Sequence, residues 1–340
     1  MSDSIYYSSN QLFSHNSNVN FVMGERGNGK SYDAKKRMIK NFINKREQSI
    51  YIRRRQTDID EVKELFFDDI QNEFPNYEFS IDGKYGLING EKAIIFFALS
   101  TSLKKKSSPF PLVTLLVFDE YIEPSFKFPN YLKNDMFYLL ELINTVVRSR
   151  NNWKLLLIGN TISFVNPFFT MYGIEIKDSE QRFHKFVKDN EDGSYLITVE
   201  LTDTPEFQEE YAKTKFAKLI KNTSYGGYAM SGKGYEDDNS FILKDRKGQH
   251  IFICSLVLEQ IEVGLWFNEN AHIYCDDKID KLSKKRFALL NEDMRDYLSH
   301  IKLEENKWRT KQIKSAYQNG EMYFKNQEIK KFIQKAIKYL

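Results

Sequence analysis

The feature that most constrains this chain is a glycine-rich segment at residues 24–31, with the sequence GERGNGKS. It matches the pattern GxxxxGK(S/T), follows an apolar run at 19–23 and precedes a polar, helix-forming stretch at 32–45. Glycines let backbone amides curl around phosphate oxygens, and the N-terminal dipole of a following helix favours the same anion. The segment therefore predicts a nucleotide site between a strand and a helix.

Each residue of this loop has an expected role in binding ATP. Lys30 is expected to reach the β- and γ-phosphates, and Ser31 is expected to bind Mg²⁺. A chance glycine-rich turn is the alternative, and the flanking strand and helix argue against it. The remaining residues expected to contact ATP are Gly24, Glu25, Arg26, Gly27, Asn28 and Gly29.

A second apolar run, at 112–118, ends in two carboxylates, Asp119 and Glu120. Nucleotides bind at the carboxyl ends of parallel strands in folds of this kind. Asp119 is expected to hold Mg²⁺ through water, and Glu120 to orient and deprotonate the attacking water. Because a hydrolase must position water, the acid pair favours hydrolysis over phosphoryl transfer to a small acceptor. An apolar strand that ends in Asp-Glu is common by itself. It indicates a catalytic acid pair only when it follows a glycine-rich loop of this kind in the chain.

The next buried run, at 154–158, leads to Gly159 and Asn160. The Asn160 amide could sense the γ-phosphate or the attacking water. An asparagine that only forms a turn is the alternative.

Cations after a predicted helix at 135–147 could act on the nucleotide of a neighbouring subunit. Arg148 and Arg150 follow this helix and precede the strand that leads to Asn160. A motor whose subunits fire in sequence often completes its site with a neighbour's cation, because the transition state gathers charge on the γ-phosphate. A pair of solvated surface arginines is the alternative.

Two basic clusters, at 53–55 and 104–106, can likewise be interpreted either as functional contacts or as solvated surface charge. Each could contact nucleic acid or a neighbour's nucleotide, or could only keep a loop soluble. Arg26, inside the glycine-rich loop, could contact phosphate in its own chain. The candidates for contact with DNA or RNA are Arg53, Lys104 and Lys105 in the first half of the chain and Lys284, Lys285 and Arg286 near its end.

Strands and helices alternate through the first half of the chain, which predicts an α/β fold with a doubly wound, mainly parallel sheet. The pattern changes near a glycine- and serine-rich stretch at 223–234, where a hinge is expected. The domain boundaries are therefore placed at 1–200, 201–232 for a linker, and 233–340. Further predicted elements are strands at 49–52 and 93–99, helices at 58–74 and 202–221, a β-meander at 250–258, 263–267 and 271–275, and two or three final helices.

Positive charge is concentrated at the end of the chain. The formal net charge is +3 over 340 residues, yet residues 281–340 hold fifteen Lys or Arg against seven Asp or Glu, a net of +8. This excess suggests contact with a polyanion, and a solvated helix face is the alternative. The two cysteines fit no zinc spacing and suit a reducing cytoplasm. With no signal peptide and no apolar run of about 18 residues, a soluble cytoplasmic protein without a membrane partner is expected.

Several of these segments, taken together, resemble one family. The resemblance runs in order and with similar spacing over nearly the whole chain, which makes it more specific than the glycine-rich loop alone. The family is the DNA-packaging ATPase, or encapsidation protein, of small protein-primed podophages, the phi29-like group. The segments are GERGNGKS at 24–31, IYIRRR at 50–55, VFDE at 117–120, NTVVRSR at 144–150, GNTISFVNPFF at 159–169, KTKFAKLI at 213–220, and the late pairs Asn319-Gly320 and Asn326-Gln327.

The resemblance implies an ASCE-type P-loop ATPase domain, a small linker and a C-terminal α+β domain that resembles an RNase H-like nuclease without its metal site. It implies a pentameric ring of this chain at the portal of a prohead in the host cytoplasm, with a monomer as the form in isolation. The implied partners are double-stranded DNA, a packaging RNA and the portal, and the implied cofactors are ATP and Mg²⁺.

The same resemblance assigns roles to individual cations. Arg148 would be an arginine finger acting in trans, and Lys106 a second trans-acting cation. Arg26 would be the arginine of the P-loop, and Arg53 would belong to a lid region. No nuclease activity is expected, since Asp276 and Asp277 suit a turn and no set of acidic metal ligands accompanies them.

Two other classes of function remain open at this stage. One is a helicase-type translocase that acts on single strands, and the other is a nucleotide-binding protein that is not a motor. The presence of Glu120 argues against simple binding, and no acceptor pocket of a small-molecule kinase is evident in the sequence.

Overall fold

The computed structural model describes residues 5–101, 110–122, 135–160, 166–176, 178, 180–202, 204–221, 241–246 and 248–340. The described residues form two compact units. The first lies within 1–123, 135–162 and 176–236, and the second includes the described residues of 163–175 and 237–340. The predicted boundaries at 200 and 232 stay a prediction.

A nine-stranded sheet forms the centre of the first unit, in the order β3-β4-β5-β2-β6-β7-β1-β9-β8. The six strands from β5 to β9 in this order pair in parallel, whereas β3, β4 and β8 join the two edges as antiparallel strands. The mainly parallel α/β sheet is therefore confirmed. The strands are β1 (Val19–Gly24), β2 (Gln48–Arg53), β3 (Phe79–Asp82), β4 (Tyr85–Ile88), β5 (Glu91–Ala98), β6 (Val113–Asp119), β7 (Lys154–Asn160), β8 (Phe183–Lys188) and β9 (Tyr195–Leu201).

Helix α2 shows how the connecting helices cover this sheet. Its residues Ala34, Met38 and Phe42 recur every fourth position and are buried against the strands. The strands beneath them are apolar in nearly every position, as expected when both faces of a sheet are covered. The helices of this unit are α1 (Asn10–Ser14), α2 (Lys30–Lys45), α3 (Gln56–Glu64), α4 (Asp135–Val147), α6 (Pro205–Lys213) and α7 (Lys215–Ile220).

Two predicted helices are shorter in the structure. The helix expected at 58–74 ends at Glu64, because the adjacent Phe66 and Phe67 are both buried and a continuing one-sided helix would not bury neighbouring positions equally well. The helix expected at 202–221 is broken at Thr214, whose extended backbone ends α6 and whose side chain accepts a 3.1 Å hydrogen bond from Ala217 N to begin α7. The edge strands β3, β4 and β8, together with β9, were not predicted.

The second unit contains a six-stranded sheet in the order β14-β13-β10-β11-β12-β15. The antiparallel meander of β10, β11 and β12 confirms the prediction, and β13, β14 and β15 are additional strands that pair in parallel. Two helices pack with this sheet, so the unit has the α+β character that the resemblance implies. The elements are α5 (Pro167–Tyr172), β10 (His250–Leu258), β11 (Ile261–Asn268), β12 (Ile273–Asp276), β13 (Arg286–Ala288), β14 (Ser299–His300), α8 (Lys307–Gln318), β15 (Met322–Phe324) and α9 (Gln327–Ala336).

Among the described residues, no helix is both long enough and apolar enough to cross a membrane.

Candidate active site

The predicted catalytic segments meet at one edge of the nine-stranded sheet. Strands β6, β7 and β1 are neighbours, and their register sets Asp119 beside Ile158 and Gly24 beside Asn160. The loop after β1, the acids after β6 and the amide that ends β7 therefore converge. They surround a cavity of about 240 Å³ that is lined by residues 26–32 together with Asp119, Glu120, Ile158 and Asn160.

Two glycines give the loop its shape. Gly29 caps α2 with φ of 95°, a left-handed conformation that favours glycine. Gly24 has no room for a side chain, because a Cβ at that position would lie 1.6 Å from Thr202 Oγ1. The loop is thus packed directly on the residue that follows β9.

The side chain of Lys30 is buried inside the loop. Its Nζ donates hydrogen bonds to Asn28 Oδ1 at 2.9 Å and to the Glu25 carbonyl oxygen. Burial lowers the pKa of the Lys30 ammonium to about 8, although the nearby carboxylates of Glu25 and Asp119 oppose this shift. The ammonium is therefore poorly solvated and positioned to gain from an anionic ligand.

Ser31 and Asp119 meet across the cavity. Ser31 Oγ donates to Asp119 Oδ1 at 3.0 Å, and the same oxygen accepts a 3.0 Å hydrogen bond from Glu120 N. Hydroxyl and carboxylate oxygens are the donor types that Mg²⁺ prefers, so this pair fits the ion that ATP carries. Among the described residues no cluster of three or more His, Cys, Asp or Glu forms a metal site, so any ion here would need ligands from the nucleotide and water.

Strand β2 supplies two residues that hold the acid pair from the other side. Tyr51 OH donates to Asp119 Oδ2 at 2.6 Å, and burial raises the pKa of Tyr51 well above its ordinary value, so it stays a donor. Arg53 lies 3.4 Å from Asp119 Oδ2 and donates to Glu120 Oε2 at 2.5 Å. In this structure the Arg53 guanidinium is paired with these two carboxylates, and its contact with nucleic acid stays a prediction.

Arg54 is a structural residue of the site that the sequence analysis missed. Its buried guanidinium donates to Asp135 Oδ2 at 2.7 Å, to the Glu120 carbonyl at 3.2 Å and to the Tyr121 carbonyl at 2.6 Å. Glu120 has a left-handed backbone with φ of 56°, and Arg54 stabilises this turn. The pattern IYIRRR could have indicated these separate roles. Side chains alternate along a strand, so Tyr51 and Arg53 lie on one face and Arg54 on the other.

The two candidate trans-acting arginines differ in the structure. Arg148 is exposed just after α4, with a left-handed φ of 52°. Arg150 instead donates to the carbonyl oxygens of Phe110, Pro111 and Val146 at 2.7 to 3.1 Å. Arg150 thus closes a turn of its own chain, and a trans role for it stays a prediction. Lys104, Lys105 and Lys106 lie outside the described residues.

In the second unit, Lys284 and Lys285 are exposed, whereas Arg286 is half-buried. The Arg286 guanidinium donates to both carboxylate oxygens of Glu262, at 2.8 and 2.6 Å. This bidentate pair partners its charge within the unit, and its contact with nucleic acid stays a prediction.

Asp276 and Asp277 lie where β12 ends in a bend, and Asp276 Oδ1 accepts a 3.0 Å hydrogen bond from Lys278 N there. Asp276 is the last residue of β12, and its carboxylate accepts from Trp266 Nε1 at 2.9 Å and lies 3.3 Å from Arg246. Asp277 pairs with Lys325, whose ammonium lowers the pKa of the Asp277 carboxyl. The two carboxylates are thus taken by different partners.

Comparison with known proteins identifies the family. A family model described as podovirus DNA encapsidation protein (Gp16) matches residues 1–339. The DNA packaging protein of Bacillus phage B103 is 32% identical over 317 residues, which are 93% of this chain and 95% of the relative. The DNA packaging protein of Bacillus phage phi29 is 32% identical over 331 residues, 97% of this chain and 96% of the relative.

Solved structures agree with this assignment. The chain is similar to a chain of the bacteriophage Phi-29 viral genome packaging motor assembly, with a TM-score of 0.59, 30% identity and 99% of each chain covered. It is also similar to the N-terminal domain of the DNA packaging ATPase from bacteriophage phi29, with a TM-score of 0.54 and 34% identity over 60% of this chain and 100% of that domain. This chain therefore belongs to the podovirus DNA encapsidation protein (Gp16) family.

Proposed function

We propose that this chain is the ATP-hydrolysing subunit of a motor that drives double-stranded DNA into a preformed prohead. The observation that carries the proposal is the 3.0 Å contact between Ser31 Oγ and Asp119 Oδ1. It joins the phosphate-binding loop to the strand-end acids at one point, as hydrolysis of a magnesium nucleotide requires. Membership in the encapsidation family supports DNA packaging as the work that hydrolysis drives.

The chemistry follows from the cavity. Lys30 would leave its partners in the loop for the β- and γ-phosphates, which offer its buried ammonium a stronger counter-charge. Ser31 and Asp119 would hold Mg²⁺, which supplies neutralisation of phosphate charge. Glu120 would accept the proton of the attacking water while Arg53 holds one of its carboxylate oxygens. Asn160, at the end of β7, would contact the γ-phosphate or that water.

Coupling between subunits is the second part of the proposal. Arg148 is exposed after α4 and would reach the nucleotide of a neighbour in a pentameric ring. Lys106 is proposed as a further trans-acting cation on the strength of the family resemblance. The ring would assemble at the portal vertex of the prohead, in the host cytoplasm.

Nucleic-acid contacts would be made mainly to phosphates, because a packaging motor must accept any sequence. Lys104 and Lys105 are also proposed as DNA contacts. Lys284 and Lys285 are exposed in the basic end of the chain and are proposed to contact a packaging RNA or the portal. No nuclease activity is proposed.

The test is a packaging reaction with purified proheads, packaging RNA, ATP and double-stranded DNA, scored by protection of DNA from added nuclease. The wild-type chain is expected to protect the DNA, and Glu120→Gln is expected to bind ATP, to lose roughly a hundredfold or more in turnover, and to protect none. ATP turnover that rises only with single-stranded DNA would favour a helicase, and turnover indifferent to DNA and proheads would favour a protein that is not a motor.

A further inference from the structure

We propose that a second cavity, between the N-terminal segment and α2, binds the adenosine half of ATP, with Tyr6 and Tyr32 as its aromatic walls. The inference rests on the proposed function, since it assigns the remainder of the same substrate. Tyr6 precedes β1 and Tyr32 lies in the first turn of α2, and neither is part of the glycine-rich motif.

The two cavities share part of their lining along the glycine-rich loop. The cavity of about 240 Å³ is lined by Lys30, Ser31 and Asp119, which suit phosphates and their metal ion. The second cavity measures about 760 Å³ and shares Gly27, Gly29 and Tyr32 with the first. A nucleotide whose phosphates fill the polar cavity must project its ribose past these shared residues, and the larger cavity is on that path.

Tyr6 and Tyr32 provide flat apolar faces to this cavity. Tyr32 OH donates to Glu73, so the Tyr32 ring is tethered from its far end. The Tyr6 ring is 5.9 Å from the ring of Phe207, and Tyr6 Cβ packs 3.2 Å from the position of a Cβ on Gly29. Aromatic side chains bind nucleobases by stacking, since every base has a π-face, and both rings are held by contacts other than the proposed ligand.

The N-terminal segment is fixed in place by bonds to the loop and the sheet. Tyr7 N donates to the Asn28 carbonyl at 2.9 Å, which ties the segment to the loop itself. Tyr7 OH donates to the buried Glu200 at 2.6 Å, on the strand next to β1. Tyr6 is thereby held above the loop before any ligand binds, and a preorganised wall loses little entropy on binding.

A second set of bonds ties the segment to α2. Ser9 N donates to Asp33 Oδ2 at 3.1 Å, and Arg37 donates to Ser9 Oγ at 3.0 Å and to Asn10 Oδ1 at 2.8 Å. Lys36 is paired with Glu73. The cavity is lined by the cations Lys36, Arg37 and Lys40 and the acids Asp33 and Glu73. Lys36 and Arg37 are already bonded to protein groups, so most of this charge serves to hold the walls in place.

The experiment compares two ligands by isothermal titration at fixed Mg²⁺: ATPγS, which carries the nucleoside, and inorganic tripolyphosphate, which does not. Tyr6→Ala is expected to weaken ATPγS binding about tenfold and to leave tripolyphosphate binding unchanged, because only the stacked base is lost. Tyr32 also lines the phosphate cavity, so Tyr32→Ala is expected to weaken ATPγS binding by a larger factor than tripolyphosphate binding. Tyr6→Ala keeps the Cβ that packs on Gly29. The matched controls Tyr6→Phe and Tyr32→Phe retain the ring and are expected to bind ATPγS like the wild type.

Three results would overturn the inference. ATPγS affinity unaffected by both alanine variants would show that the base binds elsewhere. Equal losses for ATPγS and tripolyphosphate would show that the tyrosines act only through the shape of the loop. A wild-type chain that binds neither ligand would refute the proposed function as well. This failure is seen with the wild type alone, whereas failure of the base-site inference is seen only by comparing the variants.

Discussion

Burial of the Lys30 ammonium opposes folding, and the same ammonium is proposed to bind the phosphates of the ligand. Its ammonium is buried with two neutral acceptors, and its pKa falls to about 8. Such a group is less stable in the folded protein than in water until an anion reaches it. Active sites often keep a group of this kind because binding, and not folding, uses its charge.

Lys30→Met, which keeps the length of the side chain but removes the charge, is therefore expected to leave the nucleotide-free thermal midpoint unchanged or higher. The wild type should gain thermal stability with ATPγS and Mg²⁺, and the variant should gain none, because the phosphates lose their cation. Differential scanning calorimetry with and without the ligand measures both effects. A normal ligand-induced rise in the variant would contradict the role assigned to Lys30.

Among the strands and helices, β2 and the residue after it supply more of the contacts that hold the acid pair than the sequence indicated. Because β2 pairs with β6, Tyr51 and Arg53 lie against Asp119, and Arg54 reaches the start of α4. The ion pair between Arg54 and Asp135 is almost fully buried. A buried pair adds little over an apolar pair, but losing one partner leaves an uncompensated charge.

Arg54→Ala is accordingly expected to lower the free energy of unfolding by about 3–5 kcal/mol, because Asp135 is left buried without its partner. Urea denaturation followed by circular dichroism gives this value. Lys213→Ala is a matched control, since it removes an exposed ion pair with Glu210 and should change stability by less than about 0.5 kcal/mol. Similar small losses in both variants would mean that Arg54 does not support the turn at Glu120.

At the scale of the whole molecule, the assembled ring is where Arg148 is expected to matter. Arg148 is exposed, whereas Arg150 is bonded to carbonyl oxygens of its own chain. A cation that belongs to a neighbour's site needs to be unburied in the single chain. The structure therefore favours Arg148 over Arg150 as the residue to test.

Arg148→Ala is expected to abolish ATP turnover on proheads while leaving ATPγS affinity within about threefold, because a trans arginine stabilises the transition state rather than the bound substrate. Rings that mix Arg148→Ala with Lys30→Met subunits should recover part of the turnover, since an alanine subunit can receive the arginine of its neighbour. Arg150→Ala serves as the comparison and should act through stability. Full turnover by a dilute wild-type monomer would rule out a trans role for Arg148.

The sequence allowed a close prediction of the residues that line the smaller cavity, but not of those that support them. Lys30, Ser31, Asp119, Glu120 and Asn160 belong to a local motif or to the end of an apolar strand, so local pattern and chain order were sufficient. The roles of Tyr51 and Arg54 depend on which strand lies next to which. The hairpin of β3 and β4 was missed because its strands are only four residues long and half exposed.

By itself, the sequence determined a glycine-rich loop between strand and helix, an acid pair at a strand end, and a mainly parallel sheet. These are consequences of local chemistry and of hydrophobic periodicity, which a short window contains. Only the tertiary structure decided that Arg53 holds Glu120, that Arg150 is occupied, and that the N-terminal tyrosines border the loop. Those contacts join residues far apart in the chain, and strand order in the sheet fixes them, which no local pattern records.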